Sequence, residues 1–184
     1  RTEHRRDYAT EPPKNLLDVL KEKGVQVCSV GKIEDIFAHR GFCAANHTGN
    51  NRDGLKATLD FMIQNRKKQS LIFSNLVDFD QLFGHRRDPK GYAGALVELD
   101  NFVPKIMAEM GPKDLLVITS DHGCDPTFRG TDHTREYVPL VAYQPETTGS
   151  YLGDRESFAD ISATALEGYQ ISHSLLPAQG KSFL

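Results

Sequence analysis

Asp121 and His122 are adjacent in the chain, and a second imidazole, His133, follows eleven residues later. A carboxylate and imidazoles in that arrangement supply oxygen and nitrogen ligands to a divalent metal ion. The pair lies in Ser120-Asp121-His122-Gly123-Cys124-Asp125-Pro126-Thr127, directly after the apolar, β-branched run Leu115-Leu116-Val117-Ile118-Thr119. Such a run reads as a buried strand, which sets Asp121 and His122 where a strand ends and a loop begins. In open α/β sheets that edge is where ligands bind. A second apolar run, residues 71–77, leads in the same way into Asp78-Phe79-Asp80 and then His85.

The elements that position these side chains follow from the patterning. Leu16, Leu17, Val19 and Leu20 suit a short amphipathic helix that Gly24 ends. Residues 25–30 read as a strand, with Gly31 and Lys32 at its end, and Ile33, Ile36 and Phe37 as a brief helix stopped by Gly41. Residues 46–51 are turn formers and read as a loop. Leu55, Leu59, Met62 and Ile63 then form a helical stripe from about Asp53. A long helix is predicted over 91–110, which Pro104 kinks or ends early. Residues 137–143 read as another strand, and Phe158, Ile161, Ala165 and Leu166 mark a last helix.

Strands alternating with helices predict an α/β fold, a mainly parallel sheet flanked by helices. In this reading strand 71–77, helix 91–110 and strand 115–119 form one βαβ unit. Parallel strands joined by a crossover end at the same edge. Asp80, His85, Asp121, His122 and His133 would then meet on one side of the sheet.

Neutral imidazoles and carboxylates, without thiolate, suit Mn²⁺ or Zn²⁺ better than Ca²⁺ or Mg²⁺ alone. A catalytic zinc usually takes three protein ligands, so five point to two ions. Ions about 4 Å apart clamp a phosphoryl group between attacking and leaving oxygens. The chemistry implied is transfer or hydrolysis of a phosphate or related ester. Other groups read as ordinary. By alternation, Asp78 points away from Asp80. Asp88, Asp125 and Asp132 suit turns and helix starts. Cys124 is a small packing residue, and Arg86 and Arg87 are solvated or paired. His4, His39, His47 and His173 lack ligand-like neighbours in sequence.

A length of 184 residues is enough for one domain with a sizeable core. A net charge of −3 offers no cationic face for nucleic acid or a membrane surface. No apolar run approaches the length of a membrane span. Three widely spaced cysteines argue against a disulfide framework or a cysteine-based zinc module and fit a reducing cytoplasm. The chain begins at Arg1, in a charged stretch without methionine, which suits a piece of something longer.

Taken together, Val77-Asp78-Phe79-Asp80, Gly84-His85-Arg86-Arg87-Asp88, Ser120 to Thr127 and Gly130-Thr131-Asp132-His133-Thr134-Arg135-Glu136-Tyr137-Val138-Pro139-Leu140 resemble bacterial-type phosphopentomutases, of the alkaline phosphatase superfamily. The similarity extends from Arg1-Thr2, with Arg5 and Asp7-Tyr8, through Gly31-Lys32-Ile33 to the C-terminus. The resemblance implies an alkaline-phosphatase-like core with two Mn²⁺ ions, Zn²⁺ being the alternative. It implies interconversion of ribose 1-phosphate and ribose 5-phosphate, or their deoxy forms, so the partner is a small sugar phosphate. Carried over, Asp80, His85 and His133 hold one ion, and Asp121 and His122 belong to the other. Lys32 and Arg5 are the candidate contacts to substrate phosphate. In the family the second ion also takes an N-terminal aspartate and a threonine nucleophile that carries phosphate. Neither motif is present, and the family's cap domain is essentially absent. Residues 1–184 thus resemble the C-terminal part of the metal-binding core, and the chain alone is expected to be inactive. Cofactor-independent phosphoglycerate mutases, phosphatases and sulfatases share the superfamily. The runs Gly84 to Asp88 and Thr134 to Tyr137 side with the pentomutases. The reading from another class is a non-catalytic, metal-stabilised or partner-binding domain.

Overall fold

A computed structural model describes residues 10–177 and 179–184. Arg5, His4 and the other motif residues before Thr10 lie outside the described residues. Asn15 starts helix α1 (Leu16–Glu22) with a reciprocal cap. Its side chain accepts from the Leu17 N–H at 2.9 Å, while Asp18 accepts from the Asn15 N–H at 3.2 Å. After α1, Gly24 takes φ +83°, a conformation glycine adopts without a Cβ penalty, and the chain turns into strand β1 (Gln26–Val30).

β1 is the middle of a three-stranded parallel sheet, between β2 (Ala44–Asn46) and β3 (Ser70–Ser74). Val27, Cys28, Ser29 and Val30 are all buried, as both faces of a central parallel strand must be. Leu17, Leu20, Val25, Val27, Phe42 and Leu166 meet in the core beside it. β2 has no counterpart among the expected strands, since three residues carry no pattern; its pairing to Cys28, Ser29 and Val30 defines it.

Short helix α2 (Ile33–Ile36) follows β1. Helix α3 (Asn51–Asn65) begins inside the stretch expected as a loop. The same turn formers act as its cap, with the Asn50 side chain accepting from the Asp53 N–H at 2.8 Å. Helix α4 (Pro89–Glu109) is capped by Asp88, which accepts from the Gly91 N–H at 2.9 Å, and runs through Pro104. Helix α5 (Ala159–Gly168) closes the chain's regular elements before a short 3₁₀ turn, His173–Leu175. None of the helices among the described residues is long and apolar enough to cross a membrane.

The expected βαβ unit does not form. β4 (Leu116–Thr119) pairs antiparallel with β5 (Leu140–Tyr143) in a separate two-stranded sheet, and β3 and β4 are not hydrogen-bonded neighbours. α4 packs on α3 and on the turn before it instead of bridging adjacent strands. The α/β class with a parallel sheet holds, but the two strands bearing the candidate ligands belong to different sheets. β3 also stops at Ser74, short of Val77, and the chain then winds into a single π-helical turn, Phe79–Gly84.

Candidate metal centre

The π-helical turn carries Asp80 and leads directly into His85. In an α-helix of 3.6 residues per turn, a residue five positions on lies about 140° round the axis. The wider π turn bonds i to i+5 and brings such residues much closer to one face. Here the His85 N–H donates to the Asp80 carbonyl at 3.0 Å, and His85 Nε2 lies 3.2 Å from Asp80 Oδ1. Gly84 sits at the tight point. A Cβ there would overlap Cys124 Sγ and approach the Phe79 carbonyl oxygen to 2.9 Å.

Asp78 faces away from Asp80, as expected, though on a helical turn rather than a strand. Its Oδ2 accepts from the Asn51 N–H at 2.8 Å, and its own N–H donates to Asn51 Oδ1 at 2.9 Å. This reciprocal clamp fastens the start of α3 to the turn.

The second group of ligands comes from the loop after β4. Gly123 and Thr134 form an isolated antiparallel bridge, with the Thr134 N–H donating to the Gly123 carbonyl at 3.0 Å. Thr134 Oγ1 accepts from the Asp125 N–H at 2.8 Å and donates to Glu136 at 2.7 Å, which pins the returning strand of the loop. The bridge lays His133 over His122, ring centroids 3.6 Å apart and planes 17° from parallel. His133 also stacks on His85 at 5.0 Å, and its Nε2 lies 3.3 Å from Asp80 Oδ1.

The tautomers follow from the backbone. His85 Nδ1 faces the Thr131 carbonyl, and His122 Nδ1 lies 3.0 Å from the Gly123 carbonyl. A carbonyl only accepts, so each Nδ1 carries its proton and each Nε2 lone pair is left for another partner. This is the usual way a ligating histidine is oriented.

Four of the five expected ligands therefore meet. One donor atom each from Asp80, His122 and His133 lie within 4.8 Å of one another, and so do those of Asp80, His85 and Cys124. Asp121 is brought only to the margin. Its side chain is 71% exposed, its Oδ2 is 3.7 Å from His122 Nε2, and it lies outside both groups. Adjacent residues leaving a strand point in different directions, which separates it from His122's partners. Lys32 is exposed at the N-cap of α2, just past Val30, whose register partner is Ser74. It thus stands at the sheet edge from which the π-helical turn departs.

Cys124 is the residue the sequence reading set aside. Its Sγ donates to Asp80 Oδ1 at 3.5 Å. Burial first, and then the bond to Asp80, pushes its thiol up to about 11. No spacing rule marks a lone cysteine beside a distant aspartate, so only the fold could find it. His39 and His47 also gain neighbours that sequence did not reveal. Both face Glu34 on α2, His47 Nε2 at 3.2 Å and His39 Nδ1 at 3.6 Å from its carboxylate. These solvent-facing pairs contribute little to stability. Asp125 keeps its expected turn role, accepting from Thr127 N–H and Oγ1, which holds its carboxyl below the usual range.

The donor set fits a divalent ion. Two oxygen or nitrogen ligands at 2.0–2.1 Å round a tetrahedral ion stand about 3.3 Å apart. Asp80 Oδ1 stands 3.2 Å from His85 Nε2 and 3.3 Å from His133 Nε2. The side chains of Asp80, His85, His122 and His133 are 35%, 38%, 30% and 47% exposed, so the cluster is open to ions and small solutes.

Residues 10–173 match the family described as the Metalloenzyme superfamily. A phosphopentomutase of Clostridium kluyveri is 50% identical over 177 residues, covering 95% of this chain and 45% of the relative. The phosphopentomutase of Pseudoalteromonas translucida is 52% identical over 172 residues, 93% of this chain and 42% of the relative. That of Clostridioides difficile is 50% identical over 185 residues, all of this chain and 46% of the relative. The chain thus spans less than half the length of these curated relatives. Among solved structures, the PH0037 protein of Pyrococcus horikoshii superposes with a TM-score of 0.53 at 16% identity, over 68% of this chain and 34% of that one. That likeness speaks to fold alone. With a family match spanning the π-helical turn and the His122–His133 loop, and carboxylate and imidazole donors gathered where those two segments meet, the chain belongs to the metalloenzyme superfamily.

Proposed function

We propose that the protein forms the metal-binding part of a phosphopentomutase, which interconverts ribose 1-phosphate and ribose 5-phosphate, or their deoxy forms. The observation that carries this reading is about 50% identity to proteins of that name over nearly the whole chain. The convergence of Asp80, His85, His122 and His133 supports it. Asp80, His85 and His133 hold one Mn²⁺, with Zn²⁺ as the alternative, and His122 with Asp121 contributes to a second. Asp121 Oδ2 stands 3.7 Å from His122 Nε2, beside the donor it would join. Bound divalent ions supply neutralisation of the charge that develops on a phosphoryl group in transfer.

The chain's own residues do the positioning. The Thr131 and Gly123 carbonyls fix the rings of His85 and His122 with Nε2 presented. Asp80 supplies negative charge at the centre of the cluster. Lys32, exposed at the N-cap of α2, and Arg5 are the candidate contacts to substrate phosphate. The nucleophilic threonine comes from outside these 184 residues. The substrate is a small sugar phosphate, and the three free cysteines suit a reducing cytoplasm.

The test is a chimaera in which this chain replaces the segment it matches in the Clostridioides difficile enzyme. Mn²⁺-dependent conversion of ribose 1-phosphate, lost on His122→Ala, is the expected result. A folded chimaera that binds Mn²⁺ but turns over other phosphate esters and not pentose phosphates would overturn the assignment. The 184-residue protein by itself should show no turnover. Activity there would mean that the nucleophile lies within the chain.

A further inference from the structure

We propose that Cys124 is a third donor beside Asp80 and His85, making an oxygen–nitrogen–sulfur site that prefers thiophilic divalent ions, Zn²⁺ or Cd²⁺, over Mn²⁺. This rests on reading Asp80 and His85 as ligands, and adds to that reading a residue with no part in the proposed manganese site.

Three observations carry it. The first is distance. Bonds of about 2.3 Å to sulfur and about 2.0 Å to oxygen, at a tetrahedral angle, set sulfur and oxygen about 3.5 Å apart. Cys124 Sγ lies 3.5 Å from Asp80 Oδ1. The second is the third corner. His85 Nε2 lies 3.2 Å from the same oxygen, and one donor atom from each of the three residues falls within 4.8 Å of the others. The third is the space that admits the sulfur. Gly84 presents bare backbone to it, and a Cβ at that position would overlap Sγ.

The selectivity follows from ligand softness. Thiolate favours Zn²⁺ and Cd²⁺, whereas Mn²⁺ favours oxygen and nitrogen donors. The S–H now donated to Asp80 marks where the exchange occurs. A thiophilic ion takes the place of the thiol proton, which passes to solvent, and Mn²⁺ bound through Asp80 and the imidazoles releases no such proton.

Co²⁺ is the probe, in protein carrying Cys43→Ser so that the exposed thiol does not interfere. A near-ultraviolet thiolate-to-cobalt charge-transfer band is expected. It should vanish on adding Cys124→Ser, which should also weaken Cd²⁺ binding by at least ~10-fold while leaving Mn²⁺ binding unchanged. Visible cobalt bands without charge transfer overturn the role of Cys124 and leave the carboxylate–imidazole centre standing. No cobalt binding at all overturns both. Should the Cys124→Ser protein fail to fold, proton release from the parent protein decides. One more proton released per Cd²⁺ than per Mn²⁺ supports the proposal, and equal release refutes it.

Discussion

Gly84→Ala tests whether the π-helical turn is what pairs Asp80 with His85. The added Cβ would sit 2.9 Å from the Phe79 carbonyl oxygen and 3.3 Å from Cys124 Cβ, and would overlap Cys124 Sγ. The sulfur could swing aside by a rotamer change. The carbonyl could not, because it belongs to the same turn and moves only if the turn opens. Overpacking of this kind costs roughly 1–3 kcal/mol, and an immovable backbone atom places this case near ~2–3 kcal/mol. For a chain of this size each kcal/mol lowers the melting temperature by about 2–4 °C, so a drop of ~4–12 °C is expected. Opening the turn also rotates His85 away from Asp80, and Mn²⁺ affinity should fall by about 10–100-fold. Thermal unfolding followed by circular dichroism, with calorimetric titration of Mn²⁺, reads both effects. Gly84→Ala combined with Cys124→Ala should recover only part of the stability, since the Phe79 contact remains. An unchanged melting temperature together with unchanged Mn²⁺ affinity would refute the reasoning.

Two further outcomes are expected. His85, His122 and His133 bind metal only as neutral rings, so protons compete with Mn²⁺ for them and Mn²⁺ affinity should be lower in acid than at neutral pH; equal affinity in the two conditions would remove the imidazoles from the site. Asp160 is buried, and its carboxyl is held below the usual range by the Lys181 N–H at 2.8 Å, with Arg155 Nε at 2.7 Å adding to it against the opposing effect of burial. A depressed carboxyl stabilises the fold above its unfolded value and loses that contribution as pH falls through its folded one. Asp160→Asn should therefore cost about 1.5–3 kcal/mol at neutral pH, a gap that closes below pH ~4. Equal urea midpoints for the two proteins at pH 7 would show that this pair does not secure the C-terminal segment.

The sequence by itself carried the chemistry. Asp80, His85, His122 and His133 were legible as candidate donors because each lies just past an apolar run or inside a turn-rich loop. Local patterning decides where such loops fall. Asp88 was likewise legible as a helix-start residue, and it makes that hydrogen bond. What patterning cannot encode is which strand pairs with which, because a ladder is chosen by distant backbone groups that find each other only in the folded chain. Hence β4 took β5 as an antiparallel partner rather than joining β3, and the donors still met, through the Gly123–Thr134 bridge and the π-helical turn. The same limit hid Cys124, forty-four positions from Asp80 in the chain and 3.5 Å from it in space. It also left Asp121 at the margin, since the direction a side chain takes on leaving a strand depends on the loop that receives it. Residue types named a set of carboxylate and imidazole donors, and tertiary structure decided which of those donors stand together.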